Sequence, residues 1–356
     1  MPDKNFFKLR AGLTLLFISL SVSYAQEIKL SPVLTIGKDG SKEQEIIGNI
    51  TDLALSSTYI YILDDKITRI QKYTKTGDYV ASIGKIGQGP GELENDLRSI
   101  ATDGKGHIIV GGTRKIYIFA ESGQFINSFP VDFQMNHLDV DKDGNILAVG
   151  LKKDRIIQVY DQQGNCISSF GEPFEVASKF SKFKNFPVAR LPFRVCCTAS
   201  GRVCFINPYK FEVYVYKDGR LEKKIEHPSD YFKPTQLIEF GQGFAIVPMD
   251  YSIFEHRDLL YVSLFDGEKG KSQLILMRGG KPLSKLELDH FPVAMDEDGY
   301  LYSIVRSDAP YVAKYLVKLS TQAKGLNWAR GLWILIQGKE QMEKLAVGYT
   351  KPAKIG

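Results

Sequence analysis

The residues able to do chemistry are few and scattered. The five histidines are His107, His137, His227, His256 and His290, and no two stand at a metal-ligand spacing. The four cysteines are Cys166, Cys196, Cys197 and Cys204, with no pair of CxxC segments, so a structural zinc site is not supported. No GxSxG, HExxH or P-loop run occurs. No catalytic residue, metal site or cofactor is assigned on these grounds.

Two runs imitate binding loops. Gly87-Gln-Gly89-Pro-Gly91-Glu92 has the glycines of a phosphate loop, but Pro90 sits inside it and a strand, not a helix, follows. A tight turn that uses glycine at positive φ is the expectation. Asp139-Val-Asp141-Lys-Asp143-Gly144 matches the first half of an EF-hand loop, yet the twelfth position, which needs a bidentate Glu, is Gly150. The same phrase recurs at Asp296-Glu-Asp298-Gly299, and recurrence points to a β-turn. If Ser200-Gly201 is a two-residue turn, Cys197 faces Cys204 across a hairpin. The pair then stands at a hydrogen-bonded site with Cα atoms ~5.5 Å apart. Buried free thiols and a strained 197–204 bridge are both open at this point.

What must position any such residues is a repeated phrase: strand, Gly-centred turn, strand, aromatic. It reads IQKYTKTGDYVASIG at 70–84, IYIFAESGQFINSFP at 116–130 and IIQVYDQQGNCISSFG at 156–171. It returns as VYVYKDGRLEKKIE at 213–226 and, degraded, as LILMRGGKPLSKLEL at 274–288. A second hairpin precedes each copy, for example HLDVDKDGNILAVG at 137–150 and RVCCTASGRVCFIN at 194–207. Four short alternating strands per ~40–45 residues are propeller blades. The expectation is an all-β, six-bladed β-propeller of four-stranded antiparallel blades over 28–319. The blades fall at about 47–93, 94–134, 135–174, 190–232, 234–289 and 290–319. In blade five FGQGFAIVPMD (240–250) is read as the inner strand. Blade six has three evident strands, and SPVLTIG (31–37) is read as the fourth, which closes the ring and removes an open edge.

The ends read differently. Lys4, Lys8 and Arg10 precede an apolar stretch at Leu13–Val22, and small residues lead to Ala25, so 1–25 reads as a signal peptide cleaved after Ala25. The apolar stretch is short for a membrane span. The expected location is periplasmic or secreted, with no membrane span after cleavage. Removing 1–25 lowers the formal charge from +5 to +3, and no basic block interleaves with aromatics, so nucleic acid is not implied. Residues 320–356 form a C-terminal extension, with a helix read from about Leu326 to Ala346.

At Gly84–Leu93 the chain reads GKIGQGPGEL. Together with the repeats at 116–130 and 156–171 this resembles the six-bladed β-propeller family common in exported Bacteroidetes proteins. That family is related to NHL-repeat propellers and has the TolB-like architecture. The resemblance covers nearly all of 28–319. It implies a fold and an exported location, and it carries no catalytic residues, because the family is largely of unknown function.

In a propeller the inner strands start at one mouth of the central channel. Those positions are Asp52, Arg98 with Ser99, His137, Arg194 and His290 beside Pro292. A polar, partly cationic mouth suits a small anionic ligand or a carbohydrate, and blade loops suit a partner protein. The first function reading is an exported non-enzymatic binding module. The second is a metal-dependent, lactonase-like hydrolase on the same architecture, which rests on fold analogy. It would need converging oxygen ligands, and among the mouth positions only Asp52 is a carboxylate, with Asn49 and Asn136 near two others. Arg98 and Arg194 would repel a cation.

Overall fold

The structure is a computed structural model. It describes residues 24–38, 46–174, 194–207, 209–227, 229–234, 236–240, 243–247 and 250–323. The signal-peptide reading falls on residues 1–25, of which 1–23 lie outside the described residues, as does the helix read at 326–346. One compact unit spans Glu27–Ser320. A second unit comprises 1–26 and 321–356, of which only strand ends are described.

The described residues contain no helix and form six four-stranded antiparallel sheets. In each sheet the strands lie in chain order from the axis outward, with one exception. The sixth sheet takes its outermost strand from the beginning of the chain: Tyr24–Ile36 pairs with Tyr311–Ala323. The ring is therefore closed by the N-terminal strand, as the SPVLTIG phrase suggested.

The inner strands of blades one to six are Ile50–Leu55, Ser99–Thr102, His137–Val140, Val195–Cys197, Asp250–His256 and Phe291–Met295. Each packs against the next, and the sixth packs against the first. Period-2 alternation decides what goes where. Along blade three Leu138 and Val140 enter the apolar layer shared with blade two, while His137 and Asp139 point toward blade four. Among the described residues there are six apolar clusters, one between each pair of neighbouring blades. Burial between blades, not inside one sheet, is thus what holds the ring.

Blade five corrects the sequence reading. Its inner strand is Asp250–His256, not 240–250. Residues Gln236–Phe240 and Gly243–Val247 pair with each other as a separate two-stranded sheet. That hairpin has the composition of an inner blade pair, and the alternation alone does not tell the two apart. The cysteine register is also corrected. Cys196 stands opposite Cys204, and Cys197 opposite Val203. The cause is a three-residue loop: Thr198 N donates to Arg202 O at 2.8 Å, and Gly201 takes φ +77°. One extra loop residue slips the pairing by one. All four cysteines are free thiols.

The two imitation loops are turns. Glu92 accepts from Gly89 N at 2.8 Å and pairs with Lys85 at 3.0 Å, which folds the GQGPGE run on itself. Asp141 accepts from Asp143 N and Asn145 N, both at 2.9 Å, capping its own turn.

The N-terminal strand buries Ile28 and Ile36, at 4% and 0% exposure, in the apolar layers on the two sides of blade six. A chain that begins at Gly48 loses both side chains and exposes the edge of blade six. The expected result is aggregation or a melting temperature at least 10 °C lower, roughly the effect of about 3–5 kcal/mol for a domain of this size. An unchanged melting curve would remove the closing role of this strand.

Candidate functional site: the axial cavity

The inner strand of a blade is a sheet edge, so its axis-facing amides have no strand partner. Here side chains of adjacent blades fill that role. Ile100 N of blade two donates to Asp52 Oδ2 of blade one at 3.0 Å. Val195 N of blade four donates to His137 Nδ1 of blade three at 3.3 Å. Two residues on, Cys197 N donates to Asp139 Oδ2 at 2.7 Å. Two further, in the turn that follows this strand, Ala199 N donates to Glu255 Oε2 of blade five at 2.7 Å. Hydroxyls do the same for carbonyls: Thr102 donates to Leu55 O at 2.7 Å, and Ser252 donates to Pro292 O.

One contact crosses the axis. Blades one and four are opposite in a six-membered ring, and Arg194 Nη1 of blade four reaches Asp52 Oδ1 of blade one at 2.6 Å. Arg194 Nη2 donates to Thr51 O at 3.3 Å. The arginine's own amide donates to Tyr251 Oη at 3.2 Å, and that hydroxyl donates to Ile206 O at 3.1 Å. Ser99 Oγ lies 2.9 Å from Asp52 Oδ2, and His137 Nε2 lies 3.6 Å from it. This crossbar occupies the end of the channel where the inner strands begin.

Beyond the crossbar lies a cavity of about 340 Å³, walled by all six inner strands. Its polar side chains include Asp52, His137, Asp139, Arg194 and Glu255. Burial works against the charge of Asp52, but Arg194 and the bonds it receives outweigh it and hold the carboxyl below the usual range. Burial pushes His137 down to about 4, so the imidazole is neutral near pH 7. Because Nδ1 accepts from Val195, its single proton sits on Nε2, toward Asp52. Burial pushes Asp139 up to about 6 against the pull of its two main-chain bonds. Glu255 is raised by burial as well.

Four of the sequence-derived residues, Asp52, Ser99, His137 and Arg194, thus meet at the axis. Arg98 does not: its guanidinium pairs with Asp96 at 2.6 Å outside the cavity. His290 does not: its ring stacks on Tyr315, 4.3 Å away and two strands out from the axis. Asp139 and Glu255 were missed as site residues. The signal for Asp139 was present, since it is the next position on the same strand face as His137.

Two predictions follow from this geometry. Arg194→Met leaves Asp52 buried beside no cation, and unfolding in urea should show a loss of about 3–5 kcal/mol. Asp52→Asn keeps an acceptor for Ile100 N, so the double variant should lose less than the sum of the singles; strict additivity would show that the two side chains are not coupled. The second concerns acid. His137 is lowered from 6.5 to about 4, so its stabilisation is full above pH 6.5 and is lost as pH falls toward 4. Asp139 is raised from 3.8 to about 6, so its penalty is full above pH 6 and is relieved as pH falls toward 3.8. The two oppose each other over one window. His137→Gln should therefore make the melting temperature rise, relative to wild type, between pH 6.5 and 4.5, and Asp139→Asn should make it fall. Parallel curves for all three proteins would contradict the assignment.

Solved structures with the same fold share little sequence. A member of the DUF4221 family from Bacteroides vulgatus superposes with a TM-score of 0.57 at 11% identity, covering 83% of this chain and 99% of that one. A candidate exported protein from Bacteroides fragilis gives 0.56 at 13% identity, covering 83% and 96%. Virginiamycin B lyase from Staphylococcus aureus gives 0.50 at 10% identity, covering 82% and 99%. At such identities the likeness shows the fold alone. No curated protein matches the chain. A family model matches residues 41–306, three quarters of the sequence, and the chain belongs to that family, a domain of unknown function designated DUF4934.

Proposed function

We propose that this chain is an exported propeller, periplasmic or secreted, that binds a ligand or a partner protein and carries out no chemistry itself. One observation carries the reading: the polar side chains at the axis are engaged by main-chain amides and, at Asp52, by the arginine of the opposite blade. Asp52 holds Arg194 and Ile100 N, Asp139 holds Val140 N and Cys197 N, and Glu255 holds Ala199 N. Groups fixed in this way make a rigid, preformed cavity, of the size that holds small ligands. Export is supported by the Lys4–Ala25 leader pattern and by the likeness to the B. fragilis protein.

The lactonase-like alternative needs several oxygen ligands converging on one point. Among the described residues no three His, Cys, Asp or Glu side chains are so placed. The cavity carboxylates belong to three different blades and each already accepts a main-chain amide.

The test is expression of the full chain in a Gram-negative host. Periplasmic protein beginning at Gln26 is expected. A small-molecule panel should contain compounds that raise the melting temperature of the wild type and not that of Ala294→Phe, which fills the cavity wall. A stoichiometric divalent ion in the purified protein, together with lactone turnover, would overturn the reading.

A further inference from the structure

We propose that the axial cavity is a binding site for an organic cation, a small molecule that carries an ammonium or amidinium group. The proposal rests on the binding reading above and specifies its ligand class.

The argument is a balance of charge inside one cavity. Three carboxylates, Asp52, Asp139 and Glu255, line it beside a single cationic side chain, Arg194. Arg194 is committed to Asp52 at 2.6 Å and to Thr51 O. His137 adds no charge, because its Nδ1 accepts an amide proton and its ring is neutral. Asp139 and Glu255 remain. Among the described residues neither forms an ion pair, and their hydrogen bonds come from main-chain amides and, at Asp139, the Cys197 thiol. A carboxylate oxygen that accepts one N–H keeps acceptor capacity for a second donor.

The placement of the two acids gives the site its shape. Asp139 comes from blade three and Glu255 from blade five. They flank the same segment of blade four, bonding amides only two residues apart. Both lie toward the end of the cavity away from the Arg194–Asp52 crossbar, and Glu255 is half-exposed there. A ligand entering past Glu255 would reach Asp139 with the crossbar as the floor. Most of the exposed wall is polar: Ile100 and Val140 are buried in the layers between blades, and Leu55, Ala294 and Met295 are the half-buried apolar side chains that border the cavity. An ammonium group matches the two carboxylates and this polar wall. A divalent metal does not, since no third ligating side chain joins the pair. An anion would meet two uncompensated carboxylates. The cationic mouth expected from Arg98 and Arg194 is not available to it, because one lies outside the cavity and the other is paired. Without residues 1–25 the chain carries a formal charge of +3, so its surface does not favour indiscriminate uptake of cations.

The test is calorimetric titration of the purified full chain at pH 7.5 and low salt. The probes are phenethylammonium, its uncharged isostere 2-phenylethanol and the anion phenylacetate. Phenethylammonium should saturate one site and bind at least about tenfold more tightly than 2-phenylethanol; Glu255→Gln and Asp139→Asn, which keep an acceptor oxygen, should each weaken it about tenfold. Retained melting temperature and near-UV dichroism show that the variants are folded. Equal binding of the charged and uncharged probes, no binding of phenethylammonium, or affinity untouched in both variants overturns the proposal. Preferential binding of phenylacetate that Ala294→Phe abolishes also overturns it, and leaves the binding reading of the propeller standing.

Discussion

The hydrogen bonds donated by inner-edge amides to side chains of the next blade are what the rest of this structure depends on. A propeller closes its ring by packing sheets face to face, yet each sheet still has an edge turned toward the axis. Water satisfies the outer edge. At the axis six edges surround a small cavity, and an unmet amide there would cost free energy comparable to a lost hydrogen bond. Carboxylates, an imidazole and hydroxyls from adjacent blades meet those amides and carbonyls. Because each bond joins two blades, the same contacts that satisfy the edge also set the spacing of the ring.

The choice of acceptors has consequences. A carboxylate satisfies an amide strongly but brings charge into a desolvated site. At Asp52 the charge is met by Arg194 reaching from the opposite blade, which ties blades one and four directly and obstructs one end of the channel. A buried pair of this kind adds little net stability over an apolar pair, but it tolerates no loss of one partner. At Asp139 and Glu255 no ion pair forms among the described residues. The residues that satisfy the edges are therefore the same ones that line the cavity.

How far the sequence could be read follows the same physics. The blades were legible because turns with positive-φ glycine, such as Gly77 and Gly123 at +95° and +92°, recur between strands of strict alternation. The closing strand at 31–37 was legible because it carries the same apolar phrase as the other outer strands. The hairpin at 236–247 was misread as a blade strand because local alternation does not say which sheet a strand will join. Cys197 was set against Cys204 because a two- and a three-residue loop look alike in sequence while differing in register. Asp52, His137 and Arg194 were found from their position at strand starts. Arg98 and His290 occupy similar positions, but side-chain direction, which a one-residue offset reverses, turns them elsewhere. Asp139 was hidden inside a run that looked like a metal loop, and Glu255 lay beyond the segment read as the inner strand of blade five.

The claim that side chains satisfy the axial edges is tested most directly by hydrogen exchange at single amides. Ile100, Val195 and Cys197 should exchange nearly as slowly as amides in the middle of a blade, such as Ile109 and Ile157, because both groups open only with the ring. Exchange at those three amides as fast as in an exposed turn such as Lys142–Asp143 would mean that water, not the neighbouring blade, meets the inner edge, and would contradict the account.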